Sequence, residues 1–429
     1  MTAPTGSTGR FPARSAGRFP ALDGVRALAA FGVLATHVGF NSGRSLDDGP
    51  LAPFLARLDF GVTLFFLLSG FVIFRPFVTA ALGNTAAPAT GRFLVRRLVR
   101  ILPAYWLAVV VTLAVLTQRP PTPRSWLTYP LLLQTYTHGN VDPSLTQLWT
   151  LPVELSFYLL LPFAAAWIRR DPTADRSAVV RRTLLLIAGM CGIAVAANIA
   201  AHLVPAVGSR SLIWLPANLD WFALGMLLAL ISACAGRIPA DRLPRLFGTG
   251  RTVAGATGLC WALAGLVFWF TTLPVAGSRL LVVPSGWEWS IKHYLYGGCA
   301  VLLLAPLTLA EPGRAAELLR ARPVRYLGEI SYGVYLWHLP LLLAFQHWLG
   351  FRTFYGHFWT LLALTACGAT AAATLSWRFL ERPLMRRAGR RYPSSERAVS
   401  AGESAGEPVA AVPSTAESPT AISAASTSP

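Results

Sequence analysis

Apolar stretches close to 20 residues long recur through this sequence, and the short segments between them draw nearly all of their positive charge from arginine. About 20 apolar residues in a helix cross the roughly 30 Å hydrocarbon core of a bilayer. Inside that solvent a backbone must satisfy its own hydrogen bonds, which restricts spanning segments to helices or closed barrels. Ten long blocks can be read, at 22–40, 59–80, 100–117, 150–168, 183–203, 217–236, 252–272, 290–309, 330–350 and 358–380. A further stretch, 126–137, is too brief to span and is expected to dip into the outer surface. Charged residues make up only 13% of the chain, whereas soluble domains carry about a quarter. The 429 residues therefore predict an all-α integral membrane protein, a single bundle of about ten transmembrane helices, in place of two or three soluble domains.

The net charge of +18 could point to nucleic acid, but its distribution argues for topology. Every second connection, with its flanking residues, carries four to seven arginines, while the intervening ones carry one or two basic residues each. This alternation runs unbroken from Arg10 to Arg397 and predicts that both termini are cytoplasmic. Residues 1–21, rich in Gly, Pro, Ser, Thr and Arg, read as a flexible cytoplasmic tail. A cleaved signal peptide is the alternative there, disfavoured by polar residues in the first block that make sense if it is kept. Residues 22–387 form the membrane domain. From 388 to 429 the composition cannot bury a core and predicts a disordered cytoplasmic tail. The five cysteines lie in apolar blocks at irregular spacing and suggest neither a metal site nor a disulfide framework. No repeat of the kind that marks inverted-repeat transporters is visible.

Ionisable residues inside a membrane are costly and mark candidate functional sites. Arg26 and His37 are eleven residues apart, close to three helical turns, so they project from nearly one face with a rise of about 16 Å between them. Arg26 is expected at the cytoplasmic rim and His37 about one turn short of the outer end. A neutral imidazole there suits proton abstraction from a hydroxyl; the plainer role is a histidine bonded to a neighbouring helix. The fourth block enters from outside at Trp149, which puts Glu154 at the depth of His37, where its carboxylate could orient the imidazole or simply reach water. Arg96, Arg97 and Arg100, followed by Pro103, crowd what reads as a helix N-terminus, a setting suited to anions. Cytoplasmic loops are arginine-rich for orientation in any case. Ser69-Gly70 favours close helix approach, and Asp220 is expected to face water. Ser331, Tyr332, Tyr335 and His338 read as a buried hydrogen-bond network, and Glu381 as a partner for a nearby arginine.

Taken together, these residues resemble the membrane acyltransferases of the acyltransferase-3 group, which O-acylate sugars and related molecules. The likeness runs from about Leu22 to Pro383. Its opening element is Leu22-Asp23-Gly24-Val25-Arg26 through His37, similar to the family's Arg-x10-His. Phe65-Phe66 to Ser69-Gly70-Phe71, Arg97-x-x-Arg100-Ile101-x-Pro103-x-Tyr105 and Trp149-Thr150-Leu151-x-x-Glu154-x-x-Phe157-Tyr158 follow in order. Ser331-Tyr332-x-x-Tyr335-Leu336-Trp337-His338-x-Pro340 and Glu381-Arg382-Pro383 close the series. Each motif alone is weak; six in order on a ten-span frame are specific.

The resemblance implies acetyl-CoA or another acyl-CoA as co-substrate; with no Gly-rich or metal-ligand site visible in the sequence, no bound cofactor or metal is expected. It implies His37 as the catalytic residue, with Arg26 as its partner or a donor-binding group, and Arg97 and Arg100, with Arg96, as donor-phosphate ligands. Glu154 or Arg26 would tune the imidazole. The expected acceptor is a hydroxyl on a cell-surface glycan or a glycosylated metabolite. The expected setting is the lipid bilayer of a bacterial cytoplasmic membrane, with no nucleic-acid partner. The rival expectation is a proton-coupled transporter that uses Arg26, His37 and Glu154 as a relay; a catalytically dead membrane scaffold is a second.

Overall fold

The computed structural model describes residues 19–117, 120–137, 142–171, 175–205, 207–235, 245–279, 287–310 and 313–391. All regular elements among these residues are helical. Ten helices have 14 or more residues: α1 Pro20–Asn41, α2 Gly61–Leu82, α3 Thr90–Val111, α4 Thr150–Ile168, α5 Arg176–Leu203, α6 Leu215–Cys234, α7 Thr257–Phe270, α8 Trp287–Leu309, α9 Ser331–Trp348 and α10 Phe358–Ser376. One lies over each apolar block. Seven helical stretches, containing α1 to α6 and α10, are long and apolar enough to cross a membrane, which makes this a multi-pass membrane protein. Of the other three, α7 has only 14 residues. The apolar runs of α8 and α9 are interrupted by Lys292 and His293 and by His338, Gln346 and His347.

Helices α2 and α6 are buried along most of their length, whereas α5 and α10 leave most of theirs outside. The outer faces carry Leu185, Ile193, Val195 and Ile199 on α5 and Trp359, Leu364 and Leu375 on α10. These suit a lipid solvent, as a polar face would not. At the centre, α2 and α6 interlock through glycine: a Cβ at Gly70 would meet the Phe222 carbonyl, and one at Gly225 the Leu67 carbonyl. Gly70 thus has the close-approach role expected of it.

Among the described residues, three of the arginine-rich connections, around Leu82, Arg176 and residues 319–328, lie near the start of α1 at one end of the bundle. Gly24 packs on Leu319, Gly328 on Asp23, and the Arg176 guanidinium donates to the Leu82 carbonyl at 3.2 Å. The opposite end joins the segments poor in basic residues, with the Phe354 N–H donating to the Asn41 carbonyl and Arg279 to the Asp47 carbonyl.

Several boundaries differ from expectation. The seventh block breaks at Ala256 into Arg245–Gly255 and α7, next to a glycine, which weakens helix continuity. The stretch 126–137 holds a short helix, Pro123–Thr128, then turns whose Tyr129 and Pro130 carbonyls accept from Tyr105 and Trp106 of α3. Of the expected tails, residues 1–18 and 392–429 lie outside the described residues, and a final helix, Arg382–Arg391, continues past residue 387.

Candidate active site

Two adjoining cavities lie along α1 and α2 and share Val62 and Tyr335 in their walls. The smaller, about 80 Å³, collects Arg26 from α1, Ser69 from α2, Arg97 and Arg100 from α3, and Glu154 and Tyr158 from α4. Arg26 holds Asp23 at 3.0 Å, one turn back on its own helix. The Arg97 guanidinium lies 6.0 Å from the centre of the Tyr158 ring. Glu154 Oε1 accepts hydrogen bonds from the Ser69 hydroxyl, at 2.7 Å, and from the Tyr158 hydroxyl. Three guanidiniums against one lining carboxylate make a positive cavity that suits a phosphate or another oxyanion.

The larger cavity, about 270 Å³, contains His37. His37 Nδ1 lies 2.8 Å from the Val33 carbonyl, one turn earlier. A carbonyl only accepts, so Nδ1 carries the proton and the Nε2 lone pair is left for chemistry. The His338 ring sits 5.0 Å from the His37 ring, its own Nδ1 tied in the same way to the Tyr335 carbonyl at 2.7 Å. The same cavity is lined by Asp59, Lys292 and Tyr296. Lys292 pairs with Asp59 at 3.2 Å, and Tyr296 donates to the other Asp59 oxygen.

Arg26, Arg97, Arg100 and Glu154 are therefore brought together, and His37 stands in the neighbouring chamber. The expected pairing of Glu154 with His37 is not made. Helix α4 is the continuation of a 3-10 stretch, Pro143–Trp149, so Glu154 lies eleven residues into the helical span instead of four, and its hydrogen bonds go to Ser69 and Tyr158. The relay of Arg26, His37 and Glu154 that a proton-coupled transporter would use is interrupted for the same reason. Arg96 is exposed and absent from the cavity wall. Because α3 starts at Thr90, Arg96, Arg97 and Arg100 occupy its second and third turns, away from the free N–H groups of the first, and Pro103 lies inside the helix.

Other residues also depart from expectation. Asp220 is buried, 6% exposed, and holds His293 Nε2 against both carboxylate oxygens at 3.0 and 2.9 Å. Ser69, beside Gly70 in the close helix approach, also donates its hydroxyl hydrogen bond to Glu154. Glu381 is buried, and its hydrogen bond comes from the Ser376 hydroxyl at 3.0 Å. The buried hydrogen-bond network expected in α9 is present: Tyr335 bonds Thr150 and the Gln147 carbonyl, Tyr332 the Ile101 carbonyl and Ser331 the Gly328 carbonyl. Among the described residues no group of three or more His, Cys, Asp or Glu side chains could hold a metal ion.

Residues 19–380 match a family described as an acyltransferase domain. Nodulation protein 10 of Rhizobium leguminosarum bv. viciae is 26% identical over 76% of this chain and 82% of its own length. Peptidoglycan O-acetyltransferase OatA of Listeria monocytogenes is 24% identical over 84% of this chain and 55% of its own. Acyltransferase MdmB of Streptomyces mycarofaciens is 24% identical over 86% of this chain and 92% of its own. The chain spans about half the length of the relatives named O-acetyltransferases. No solved structure is a significant match.

Proposed function

Since the chain belongs to the acyltransferase family that its residues 19–380 match, we propose that it transfers an acyl group from acyl-CoA to a hydroxyl of a sugar-containing acceptor. Acetyl is the favoured group, since relatives along most of the chain are named O-acetyltransferases. The observation that carries this reading is the pair of adjoining cavities: three guanidiniums in one, a histidine with a free Nε2 in the next.

In this mechanism the donor's phosphates lie at Arg97 and Arg100, with Arg26 beside them. The pantetheine arm follows α1 over the roughly 16 Å between Arg26 and His37 and presents the thioester past Val62 and Tyr335. His37 Nε2 takes the proton of the acceptor hydroxyl as its oxygen attacks the thioester carbonyl. Collapse of the tetrahedral intermediate forms the ester and breaks the C–S bond. The proton passes from the imidazolium to the departing thiolate, which leaves free CoA thiol and a neutral histidine. Glu154 acts on the donor side, held by Ser69 and Tyr158. The arginine asymmetry supports a bacterial cytoplasmic membrane setting with both termini inside, α7, α8 and α9 completing ten spans. A cell-surface glycan and a glycosylated metabolite both fit as acceptor.

The test is acetyl-CoA-dependent release of free thiol by purified, detergent-solubilised protein, with and without an extract of host glycans and metabolites. Extract-stimulated release is expected, and a folded His37→Ala protein is expected to lose it by about 10²- to 10⁴-fold, the span of general-base contributions. Equal release by both proteins removes His37 from the mechanism. Absence of release with acetyl-CoA and with longer acyl-CoAs, in an extract known to contain glycosides, rejects the donor.

A further inference from the structure

The chamber beside His37 has a wall that proton abstraction alone does not explain. Six of its side chains present buried polar atoms with no hydrogen-bond partner among the described residues: Thr63 Oγ1, Gln134 Oε1, Thr135 Oγ1, Gln147 Oε1, Trp289 Nε1 and His293 Nδ1. Native structures leave few such atoms, and each calls for an explanation. Of the nineteen such atoms among the described residues, six gather around this one cavity, where a bound molecule would satisfy them.

The kind of atom identifies the occupant. The amide nitrogens of Gln134 and Gln147 donate to the Leu148 and Leu336 carbonyls, both at 3.2 Å, so their oxygens are the unused ends. His293 Nε2 faces both oxygens of Asp220; a carboxylate only accepts, so Nε2 carries a proton, and in the neutral imidazole Nδ1 is the bare lone pair. The ring cannot readily turn away. It stacks on Trp221 with centroids 4.0 Å apart and planes at 15°, and the Trp221 indole N–H donates to the His293 carbonyl at 3.2 Å. Three atoms can only accept and one can only donate; the two threonine hydroxyls do either. An anion would need the reverse at these atoms; of the two cations in the wall, Lys292 is paired with Asp59, while Arg210 donates to the Thr137 carbonyl. A neutral molecule bearing several hydroxyls fits, its C–H faces suited to the indoles of Trp149 and Trp221.

We propose that this chamber holds the polyhydroxyl part of the acyl acceptor and that His293 Nδ1, positioned by Asp220, accepts a hydrogen bond from a second hydroxyl of the molecule that His37 deprotonates. The last clause rests on the acyl-transfer reading; the binding site does not.

The experiment uses the full chain in lipid nanodiscs and, as probes, the methyl glycosides of glucose, galactose, mannose and N-acetylglucosamine. Thermal unfolding is followed against glycoside concentration, and thiol release from acetyl-CoA is measured with the same glycosides. At least one glycoside is expected to raise the unfolding midpoint of the wild type. His293→Ala should raise the half-saturating concentration about tenfold, the worth of one hydrogen bond, with the KM for acetyl-CoA unmoved. His293→Asn, whose side-chain oxygen stands near the place of Nδ1, should restore it to within about threefold on the same argument. Asp220→Asn, still able to accept from Nε2, should bind as the wild type does, and Asp220→Leu as His293→Ala does. If His293→Ala does not fold, Gln147→Leu carries the same comparison. The assignment is overturned if no glycoside stabilises the wild type, or if glycoside affinity is unchanged in the folded variants. His293-dependent binding without thiol release from any acyl-CoA would reject acyl transfer and leave this site standing. Thiol release with affinity unmoved in His293→Ala would do the opposite.

Discussion

Arg96 and Arg97 are neighbours in sequence and carry the same charge, yet α3 turns them to different surroundings: Arg96 is exposed, while Arg97 lines the cavity with Arg26 and Arg100. If that cavity receives the donor's phosphates, replacing each by Met separates local recognition from general electrostatics. A hydrogen bond between charged groups contributes about 1.5–3 kcal/mol, and each 1.4 kcal/mol is tenfold in affinity. Arg97→Met should therefore raise the KM for acetyl-CoA roughly ten- to 150-fold. Arg96→Met removes an exposed charge, worth no more than about 0.5 kcal/mol, and should change it about twofold or less. Initial rates of thiol release give both values. The decisive comparison is with acetyl-pantetheine, a thioester that lacks the nucleotide and its phosphates. With that donor the ratio of Arg97→Met to wild type should fall close to one, because the contact under test is gone from both. Equal effects of the two substitutions would refute the assignment, as would an Arg97→Met defect that persists undiminished on acetyl-pantetheine.

Two further outcomes concern stability. Arg57 is 2% exposed and donates to the carbonyls of Thr271, Ala276, Gly277 and Ser278, closing the loop after α7. Arg57→Ala should cost about 3–5 kcal/mol, more than the roughly 1.5–3 kcal/mol of one charge-assisted hydrogen bond because several carbonyls lose their donor together, and Arg57→Lys should recover little because one ammonium cannot reach the same set; thermal unfolding in detergent reads both. At the head of α5, outside the span, the Asp175 carboxyl is held below its ordinary value by the Ala178 N–H, with the Ser177 hydroxyl second. A depressed carboxyl stabilises when ionised, so the cap is fully present at neutral pH and is lost as pH falls through the depressed folded-state value. Hydrogen exchange at the Ala178 amide, compared with Asp175→Ala across an acid titration and corrected for the intrinsic rate, should show a difference that is full at neutral pH and shrinks as the carboxyl is protonated.

The apolar blocks dictated the helices, because the choice between helix and barrel in lipid is made by local runs of residues and by the need to pair the backbone within them. Arginine asymmetry grouped the connections, and the chain does bring the segments around Leu82, Arg176, Leu319 and Gly328 to the end where α1 begins. Arg26 and His37 were legible for the same local reason: one helix, Pro20–Asn41, carries both. What lay beyond the sequence were relations between helices. The depth of Glu154 depended on seven residues, Pro143–Trp149, that read as a loop and instead extend the span. The different fates of Arg96 and Arg97 depended on which neighbours α3 packs against. Asp220 and His293 are 73 residues apart, and neither has a pattern in its own segment that names the other. The turns after Pro123–Thr128 looked like a surface stretch, yet they deliver Gln134 and Thr135 to the chamber beside His37. Periodicity fixes which face of a helix is apolar; which polar atom meets which partner is decided only when non-local packing excludes the other solvents that could have satisfied it.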